Sequence, residues 1–223
     1  MNSGSLQKIL YNIQMRKLPS HLECPMDNVV YVVIEKIAPV FHKFGATPNQ
    51  ITTVSNAFGI GAAYFIYTYR FVSGAACFAC AYVLDCLDGY VARKYNMVSK
   101  FGDLYDHASD VFKIVITLVA LYSVNSTLFT YFFPIYVFLF SLQLFHFGCQ
   151  ERFYGKPESA SLNLLTPLCP ATNVQKWMGY TRYFGCGTSM SFLIVVILCY
   201  GLVLKSDVDV DVHSVSHEGP RKN

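Results

Sequence analysis

Long stretches without charged side chains constrain this sequence of 223 residues more than any other feature. Residues 114–150 and 183–204 contain no Asp, Glu, Lys or Arg, and between Phe44 and Leu84 the only such residue is Arg70. Uncharged stretches longer than about 18 residues are typical of membrane-spanning helices. Only 14% of all residues are charged, against about 25% in soluble domains. These features exclude a soluble enzyme, a disordered tail and a disulfide-rich secreted module.

The apolar pattern predicts an all-α fold, a polytopic membrane bundle of five to six transmembrane helices. Five apolar segments are long enough to span: residues 51–69, 72–92, 104–124, 128–149 and 184–204. The polar stretch 150–182 is interrupted by prolines, so either residues 161–180 insert in part as a sixth span or that span is missing. We expect one transmembrane domain over residues 46–204 and a flexible polar tail over residues 205–223.

The first 45 residues are more polar than the rest of the domain. Within them, residues 28–43 mix apolar and charged side chains around Pro39, which suits an amphipathic helix lying in the membrane interface. Pro48 then predicts the start of the next helix, because proline fits the first helical position. Residues 1–27 contain no apolar run of signal-peptide length, so we expect no cleaved signal peptide.

The positions of lysine and arginine predict the orientation in the membrane. Basic residues concentrate before the first apolar segment, after the second and after the fourth: Lys8, Arg16, Lys17, Lys36, Lys43, Arg93, Lys94, Lys100, Arg152, Lys156, Lys176 and Arg182. By the positive-inside rule these loops and the amino terminus face the cytosol. The net charge of +3, without a block of consecutive basic residues, gives no reason to expect a nucleic-acid partner.

The eight cysteines do not predict a metal site. Cys77 and Cys80 form a CxxC pair, but no second pair or histidine cluster accompanies it, so zinc is not expected. Five cysteines lie within apolar stretches, where cysteine is expected to act as a small apolar residue: Cys77, Cys80, Cys86, Cys149 and Cys199.

Four aspartates concentrate the scarce charge at one place. Asp85 and Asp88 lie at the end of the second apolar segment, and their spacing puts them on one helix face. Asp106 and Asp110 lie in the same way at the start of the third segment. Two antiparallel helices could direct all four carboxylates into one pocket. Arg93 alone cannot balance four charges near hydrocarbon, so we expect divalent cations, and oxygen ligands suit Mg²⁺ or Mn²⁺. The alternative is that the carboxylates form the solvated rim of a helical hairpin.

This region resembles the signature of the CDP-alcohol phosphotransferase family. Eight residue types match over 26 positions: Asp85-x2-Asp88-Gly89-x2-Ala92-Arg93-x8-Gly102-x3-Asp106-x3-Asp110. The resemblance covers approximately residues 40–115. It implies that an acceptor hydroxyl displaces CMP from a CDP-linked alcohol to form a phosphodiester. It also implies that the four aspartates hold two Mg²⁺ or Mn²⁺ ions, and that Asp110 is in addition the general base.

The resemblance implies further contacts and partners. Gly89, Arg93 and Ser99 match family positions that contact the CDP group, and Asn49 and Thr52 are further candidates for this role. The guanidinium of Arg93 suits a phosphate because it can donate two parallel hydrogen bonds. The implied partners are a CDP-linked alcohol donor, a hydroxyl acceptor and the lipid bilayer. A homodimer is a further expectation.

The sequence leaves the identity of the acceptor alcohol open. Branches that use inositol phosphate or glycerol phosphate often have a basic residue directly after the last aspartate, where this chain has Val111. Lys113 lies nearby, but snorkelling to the interface explains it as well. His107 resembles the histidine of the choline and ethanolamine phosphotransferases, although its angle of roughly 100° from Asp106 is expected to turn it toward a neighbouring helix.

Three hypotheses follow from the sequence. The first is transfer of a phosphatidyl group from CDP-diacylglycerol to a small polar alcohol, with the active site facing the cytosol. The second is transfer of a phospho-head group from a CDP-amino alcohol to diacylglycerol. The third is a cation transporter that uses the aspartates, although the fourth and fifth apolar segments contain few polar residues to line a path.

Overall fold

The computed structural model describes residues 18–154 and 162–217. Their regular structure is helical, which confirms the predicted all-α fold. Within these two ranges, seven α-helices follow one another: α1 Pro25–Lys43, α2 Pro48–Tyr67, α3 Phe71–Lys94, α4 Lys100–Val124, α5 Ser126–Tyr154, α6 Val174–Thr181 and α7 Cys186–His217. Two short 3₁₀ segments, Leu162–Leu168 and Arg182–Phe184, lie on either side of α6.

Among the described residues, four stretches are long and apolar enough to cross a membrane. They are α3, α4, α5 and the run Val174–Leu204, which combines α6 with most of α7. They correspond to the last four of the five predicted spans. Helix α2 forms where the first span was predicted but is not among the four, because polar side chains such as Thr52 and Asn56 lower the hydropathy of its first half. The described residues thus contain one apolar span fewer than predicted.

Two helices, α1 and α7, extend beyond the boundaries predicted for their segments. Helix α1 begins at Pro25, three residues before the predicted amphipathic segment, and exposes Val29, Val32 and Val40 on one side. Helix α7 continues beyond Leu204 into the segment predicted as a flexible tail. The rest of that tail, residues 218–223, and residues 1–17 of the N-terminal segment lie outside the described residues.

Local capping sets the start of the helices that surround the candidate site. Thr47 and Gln50 form a capping box at α2, in which each side chain accepts a hydrogen bond from the other's backbone N–H. Ser99 accepts the N–H of Gly102 at 3.0 Å and starts α4. Between α3 and α4, Asn96 takes a φ of +56°, a left-handed conformation that asparagine tolerates well. A short turn therefore reverses the chain between the two helices that carry the aspartates.

Helix α2 holds α3 and α4 in place. It packs more closely against each of them than they pack against each other. The hydroxyl of Ser55 donates to the carbonyl oxygen of Ala81 on α3 at 2.8 Å, and the side-chain amide of Asn56 donates to Ser109 on α4 at 2.9 Å. Hydrogen bonds of this kind join helices in a membrane, where water is absent. The space left between α3 and α4 becomes the candidate site.

The apolar core packs the helices that surround that site. The largest cluster joins α2 through α5 with α7 and includes Ile66, Leu121, Leu193 and Ile197. A second cluster seats α1 against α2 and α3. Burial of these side chains fixes the helices whose polar ends meet at the site.

One disulfide differs from the expectation for the cysteines. Cys149 at the end of α5 pairs with Cys169, which follows the first 3₁₀ segment. Cys149 thus departs from the expectation that cysteine in the apolar stretches mostly acts as a small apolar residue, because the return of the chain after α5 brings a second cysteine beside it. Both sulfurs lie in a small buried cluster with Leu22 and Met178. The other four cysteines named in the sequence analysis are free thiols.

Candidate active site

The four aspartates line one cavity of about 670 Å³. Asp85 and Asp88 come from the end of α3, and Asp106 and Asp110 come from the first half of α4. The structure thus brings together the carboxylates that the i, i+3 and i, i+4 spacings predicted to share a pocket.

Three of these carboxylates fit an oxygen-ligated cation. One oxygen each of Asp85, Asp88 and Asp106 lies within 4.8 Å of the other two. Asp88 is 2% exposed, and Oδ1 of Asp106 is buried without a hydrogen-bond partner among the described residues. Ionised carboxylates this close repel each other unless a cation lies between them. The donor set is all oxygen, which suits Mg²⁺ or Mn²⁺.

The fourth aspartate has a different partner. Oδ1 of Asp110 lies 3.1 Å from Nζ of Lys113, and the same Nζ lies 2.5 Å from Oδ1 of Asp85. Lys113 is therefore directed at two of the four aspartates, and the alternative that it snorkels to the interface is wrong. Its position one helical turn after Asp110 was the signal that could have indicated this contact.

Thr52 contacts a carboxylate directly. Its hydroxyl donates to Oδ2 of Asp88 at 2.5 Å, and the bond is buried. Thr52 and Asn49, the further candidates for the CDP group, both line the cavity. Oδ1 of Asn49 also lies near the first turn of α4, where a Cβ at Gly102 would approach it to 3.2 Å. Helix α2 therefore contributes a polar edge to the site and orients Asp88.

The residues expected at the CDP group lie on the same cavity. Gly89, Arg93 and Ser99 all line it. A Cβ at Gly89 would lie 3.2 Å from a guanidinium nitrogen of Arg93, so glycine leaves room for the arginine head group. Arg93 also donates to the hydroxyl of Tyr31 on α1 at 3.4 Å. The guanidinium is thereby held at the cavity, where a phosphate could accept from it.

His107 lies on the cavity as well, so the expectation that it turns toward a neighbouring helix is wrong. Its Nδ1 lies 2.8 Å from the backbone carbonyl oxygen of Asp103, to which Nδ1–H can donate. The prediction assumed that a helix packs against this side of α4. The cavity between α3 and α4 lies there instead, so His107 faces open space.

Two glutamines on α5 complete the cavity and were not assigned from the sequence. Gln143 and Gln150 both line it and are 3% and 5% exposed. They are seven residues apart, so they share one helix face. Oε1 of Gln143 has no hydrogen-bond partner among the described residues. Two amides on one face of an otherwise uncharged stretch were the signal that could have identified them.

A further acidic pair extends the cavity toward α1. Glu23 and Asp27 line it, and both are buried. The hydroxyl of Tyr82 donates to the carboxylate of Asp27. Burial raises the pKa of Asp27 from its ordinary value, because desolvation disfavours the charged form. Asp27 thus joins α1 to α3 beside the four aspartates.

Fold and site together define a helical membrane protein with a carboxylate-lined cavity. Residues 46–199 match the family described as CDP-alcohol phosphatidyltransferase, and the chain belongs to this family. The match includes all four aspartates and Arg93.

Individual relatives carry several acceptor names. An archaetidylinositol phosphate synthase of Pyrococcus horikoshii is 34% identical over 77 residues, 34% of this chain and 41% of the relative. A CDP-diacylglycerol–glycerol-3-phosphate 3-phosphatidyltransferase of Mycoplasma genitalium is 38% identical over 78 residues, 35% of this chain and 33% of the relative. A CDP-diacylglycerol–serine O-phosphatidyltransferase of Helicobacter pylori strain 26695 is 35% identical over 80 residues, 35% of this chain and 34% of the relative. The chain thus spans 33–41% of the length of these three relatives. No solved structure matches it.

Proposed function

We propose that this protein transfers a phosphatidyl group from CDP-diacylglycerol to a small polar alcohol and releases CMP. The observation that carries the proposal is the convergence of the four aspartates and Arg93 on one cavity of a membrane bundle. Membership of the CDP-alcohol phosphatidyltransferase family supports the class of donor.

The four aspartates would hold two divalent cations, Mg²⁺ or Mn²⁺. Bound there, such ions would neutralise the pyrophosphate and stabilise the charge that develops on CMP. Asp85, Asp88 and Asp106 offer the oxygens that already converge. Arg93 would bind a phosphate oxygen of the donor. The other residues proposed at the CDP group are Asn49, Thr52, Gly89 and Ser99.

Asp110 would accept the proton of the acceptor hydroxyl. As that oxygen forms its bond to the phosphorus of the phosphatidyl group, the bond from phosphorus to the CMP oxygen breaks and CMP leaves. Asp110 lies one turn beyond Asp106, so it remains on the cavity side of α4. Its contact with Lys113 holds the carboxylate in place before the acceptor arrives.

The acceptor wall, the part of the cavity lining formed by Gln143 and Gln150 on α5, would receive the acceptor and the lipid. Gln143 and Gln150 present amide groups that can both donate to and accept from hydroxyls. The same cavity is lined by Phe140, Leu144 and Met190, which suit the apolar part of a lipid. A small polar acceptor and a lipid-linked donor would therefore find matching surfaces in one cavity.

A second candidate is the choline or ethanolamine type of phosphotransferase. The observation that favours it is the position of His107 on the cavity. In this reaction a CDP-amino alcohol would donate its phospho-head group to diacylglycerol. The same metal and base positions would serve both reactions, so substrates must separate them.

We also propose that the active site of this multi-pass membrane protein faces the cytosol, as the basic residues around it suggest. Single cysteines at positions 97 and 126, in a background without other accessible thiols, test this. We expect an impermeant reagent to label position 97 from the cytosolic side and position 126 from the opposite side. The reverse labelling would contradict the orientation. A homodimer remains a proposal, which light scattering of the detergent-solubilised protein would test.

The activity itself is tested with purified protein by measuring CMP release. One series combines CDP-diacylglycerol with serine, inositol, inositol phosphate or glycerol 3-phosphate, and the other combines CDP-choline or CDP-ethanolamine with diacylglycerol. We expect release in the first series, and none with chelator. Asp85→Asn, Asp88→Asn and Asp106→Asn should each abolish release, while Glu35→Gln on the exposed side of α1 should not. Release only in the second series would establish the second candidate, and release that survives the aspartate substitutions would contradict the metal site.

A further inference from the structure

We propose that Lys113 is a resident cation of the metal site. Its ammonium group contacts Asp85 and Asp110 from outside the main cavity, beside a small neighbouring pocket that both aspartates also line. A divalent ion that binds Asp85 or Asp110 must then compete with the ammonium group, whereas Asp88 and Asp106 are open to the ion. This inference rests on the proposed function and concerns how the site loads its ions.

The contacts of Lys113 support a fixed position. The residue is 5% exposed. Its Nζ lies 2.5 Å from Oδ1 of Asp85, 3.1 Å from Oδ1 of Asp110 and 3.0 Å from Oγ of Ser55. An ammonium group has three protons to donate, and three acceptors surround it. All three N–H donors of Lys113 therefore have an acceptor at this position, which holds the ammonium group there.

The aliphatic stem of the Lys113 side chain, its Cβ to Cδ atoms, packs against helix α2. Gly59 on α2 faces it, and a Cβ at position 59 would lie 2.7 Å from Cγ of Lys113 and 3.4 Å from its Cδ. Because glycine has no side chain, the lysine stem can pass close to α2. Ser55 lies one helical turn before Gly59 and receives the ammonium group. Helix α2 thus directs Lys113 inward, where a lysine on a lipid-facing surface would extend to the interface.

The four aspartates are unequal for this reason. Asp88 and Asp106 have no contact with Lys113 among those described, and with one oxygen of Asp85 they form the converging group of three. Asp110 is outside that group, and both Asp110 and Asp85 are paired with the ammonium group. A divalent ion that binds Asp85 or Asp110 must therefore separate an existing buried ion pair, which weakens its apparent affinity. At Asp88 and Asp106 the ion meets no such competition.

The prediction is a change in metal binding that can be measured without substrate. Lys113→Met removes the charge and keeps an unbranched side chain. We expect it to tighten Mn²⁺ binding by about 10- to 100-fold, the usual scale on which groups in contact with metal ligands change metal affinity. The matched control is Lys100→Met, at the exposed start of the same helix, which should bind Mn²⁺ as the unaltered protein does.

Two readouts test this on the full chain in detergent. Titration with Mn²⁺, followed by the electron paramagnetic resonance of the free ion, gives the affinities. Thermal unfolding with chelator and with Mn²⁺ gives the stability. We expect Lys113→Met to melt at a lower temperature in chelator and to gain more from Mn²⁺ than the unaltered protein. An unchanged Mn²⁺ isotherm, or a loss of stability that Mn²⁺ does not relieve, would show that the lysine is only structural and overturn the inference.

A second variant covers the case in which Lys113→Met does not fold. Gly59→Ala keeps the ammonium group, but the added methyl group would clash with Cγ of Lys113 and displace the side chain. It should shift the Mn²⁺ isotherm in the same direction as Lys113→Met. Gly61→Ala is its control, because a Cβ there would meet only Sγ of Cys77 at 3.8 Å. Identical isotherms for the two alanine variants would contradict the inference.

The inference and the proposed function can fail separately. Shifted Mn²⁺ binding in a protein that releases no CMP from any donor would refute the function and leave the role of Lys113 intact. CMP release with unshifted Mn²⁺ binding would refute the role of Lys113 alone.

Discussion

Replacing Thr52 with valine tests how α2 supports the metal site. Valine keeps the branched shape of threonine but removes the hydroxyl that donates to Asp88 at 2.5 Å. Thr52 and Asp88 are each 2% exposed, so the hydrogen bond between them is shielded from bulk water. The substitution should therefore leave the fold of α2 unchanged while Asp88 loses a hydrogen bond that orients its carboxylate.

The expected size of the effect follows from that bond. A hydrogen bond to a charged group contributes about 1.5–3 kcal/mol. Since about 1.4 kcal/mol corresponds to a factor of ten, the loss amounts to roughly 10- to 150-fold in affinity. Loss of a partner that orients a metal ligand typically costs about 10- to 100-fold in affinity or activity. We therefore expect the Mg²⁺ concentration that gives half-maximal CMP release to rise by about 10- to 100-fold.

The assay is CMP release as a function of Mg²⁺ at saturating donor and acceptor. Thr52→Val should need more Mg²⁺ but approach the normal rate once the ion is saturating, and Thr52→Ser should behave as the unaltered protein. Thr53→Val is the matched control, because the hydroxyl of Thr53 bonds to Asn49 and Tyr105 and not to a carboxylate. An unchanged Mg²⁺ dependence for Thr52→Val, or the same change for Thr53→Val, would refute the reasoning.

Two further predictions concern the acceptor side of the cavity. Asp110→Asn should remove turnover but retain binding of the CDP-linked donor. His107→Ala should keep at least about a tenth of the rate, a loss of about 1.4 kcal/mol or less in transition-state stabilisation. CMP release and nucleotide binding measure these two effects, and the reverse pattern would favour the amino-alcohol reaction. Gln143→Leu should raise the KM of the acceptor more than that of the donor, because it removes an amide from the acceptor wall. Gln175→Leu on the exposed side of α6 is its control, and equal KM changes for both substrates would contradict this role.

The part of the site predicted from sequence is the part that local geometry determines. Asp85 and Asp88 share a face of α3, and Asp106 and Asp110 share a face of α4, because helical periodicity follows from sequence spacing alone. The turn between the two helices is short, so their facing sides could be inferred without knowing the rest of the fold. Family resemblance then added roles to positions that the spacing had already selected.

The part that was missed depends on contacts between distant segments. Whether Lys113 extends to the interface or enters the site is decided by Gly59, which lies on a different helix. Gln143 became part of the cavity only through the rotation of α5 relative to α3 and α4. Hydropathy alone also predicted α2 as one of five apolar spans, although the first half of α2 is polar and contributes side chains to the site. These outcomes depend on tertiary packing, which periodicity does not specify.

The bond between Cys149 and Cys169 makes one edge of the cavity sensitive to the redox state of its surroundings. Cys149 directly precedes Gln150, and Gly148 packs against the backbone of Leu165 in the 3₁₀ segment. A disulfide that closes a loop of about this size contributes roughly 3 kcal/mol. Disulfides are rare in the reducing cytosol, which the proposed orientation places at this end of α5. There the two sulfurs would be thiols, and packing alone would hold the segment against α5. An oxidising environment would instead fix the position of Gln150, so the thiol–disulfide balance of the compartment would set how firmly the acceptor wall is held.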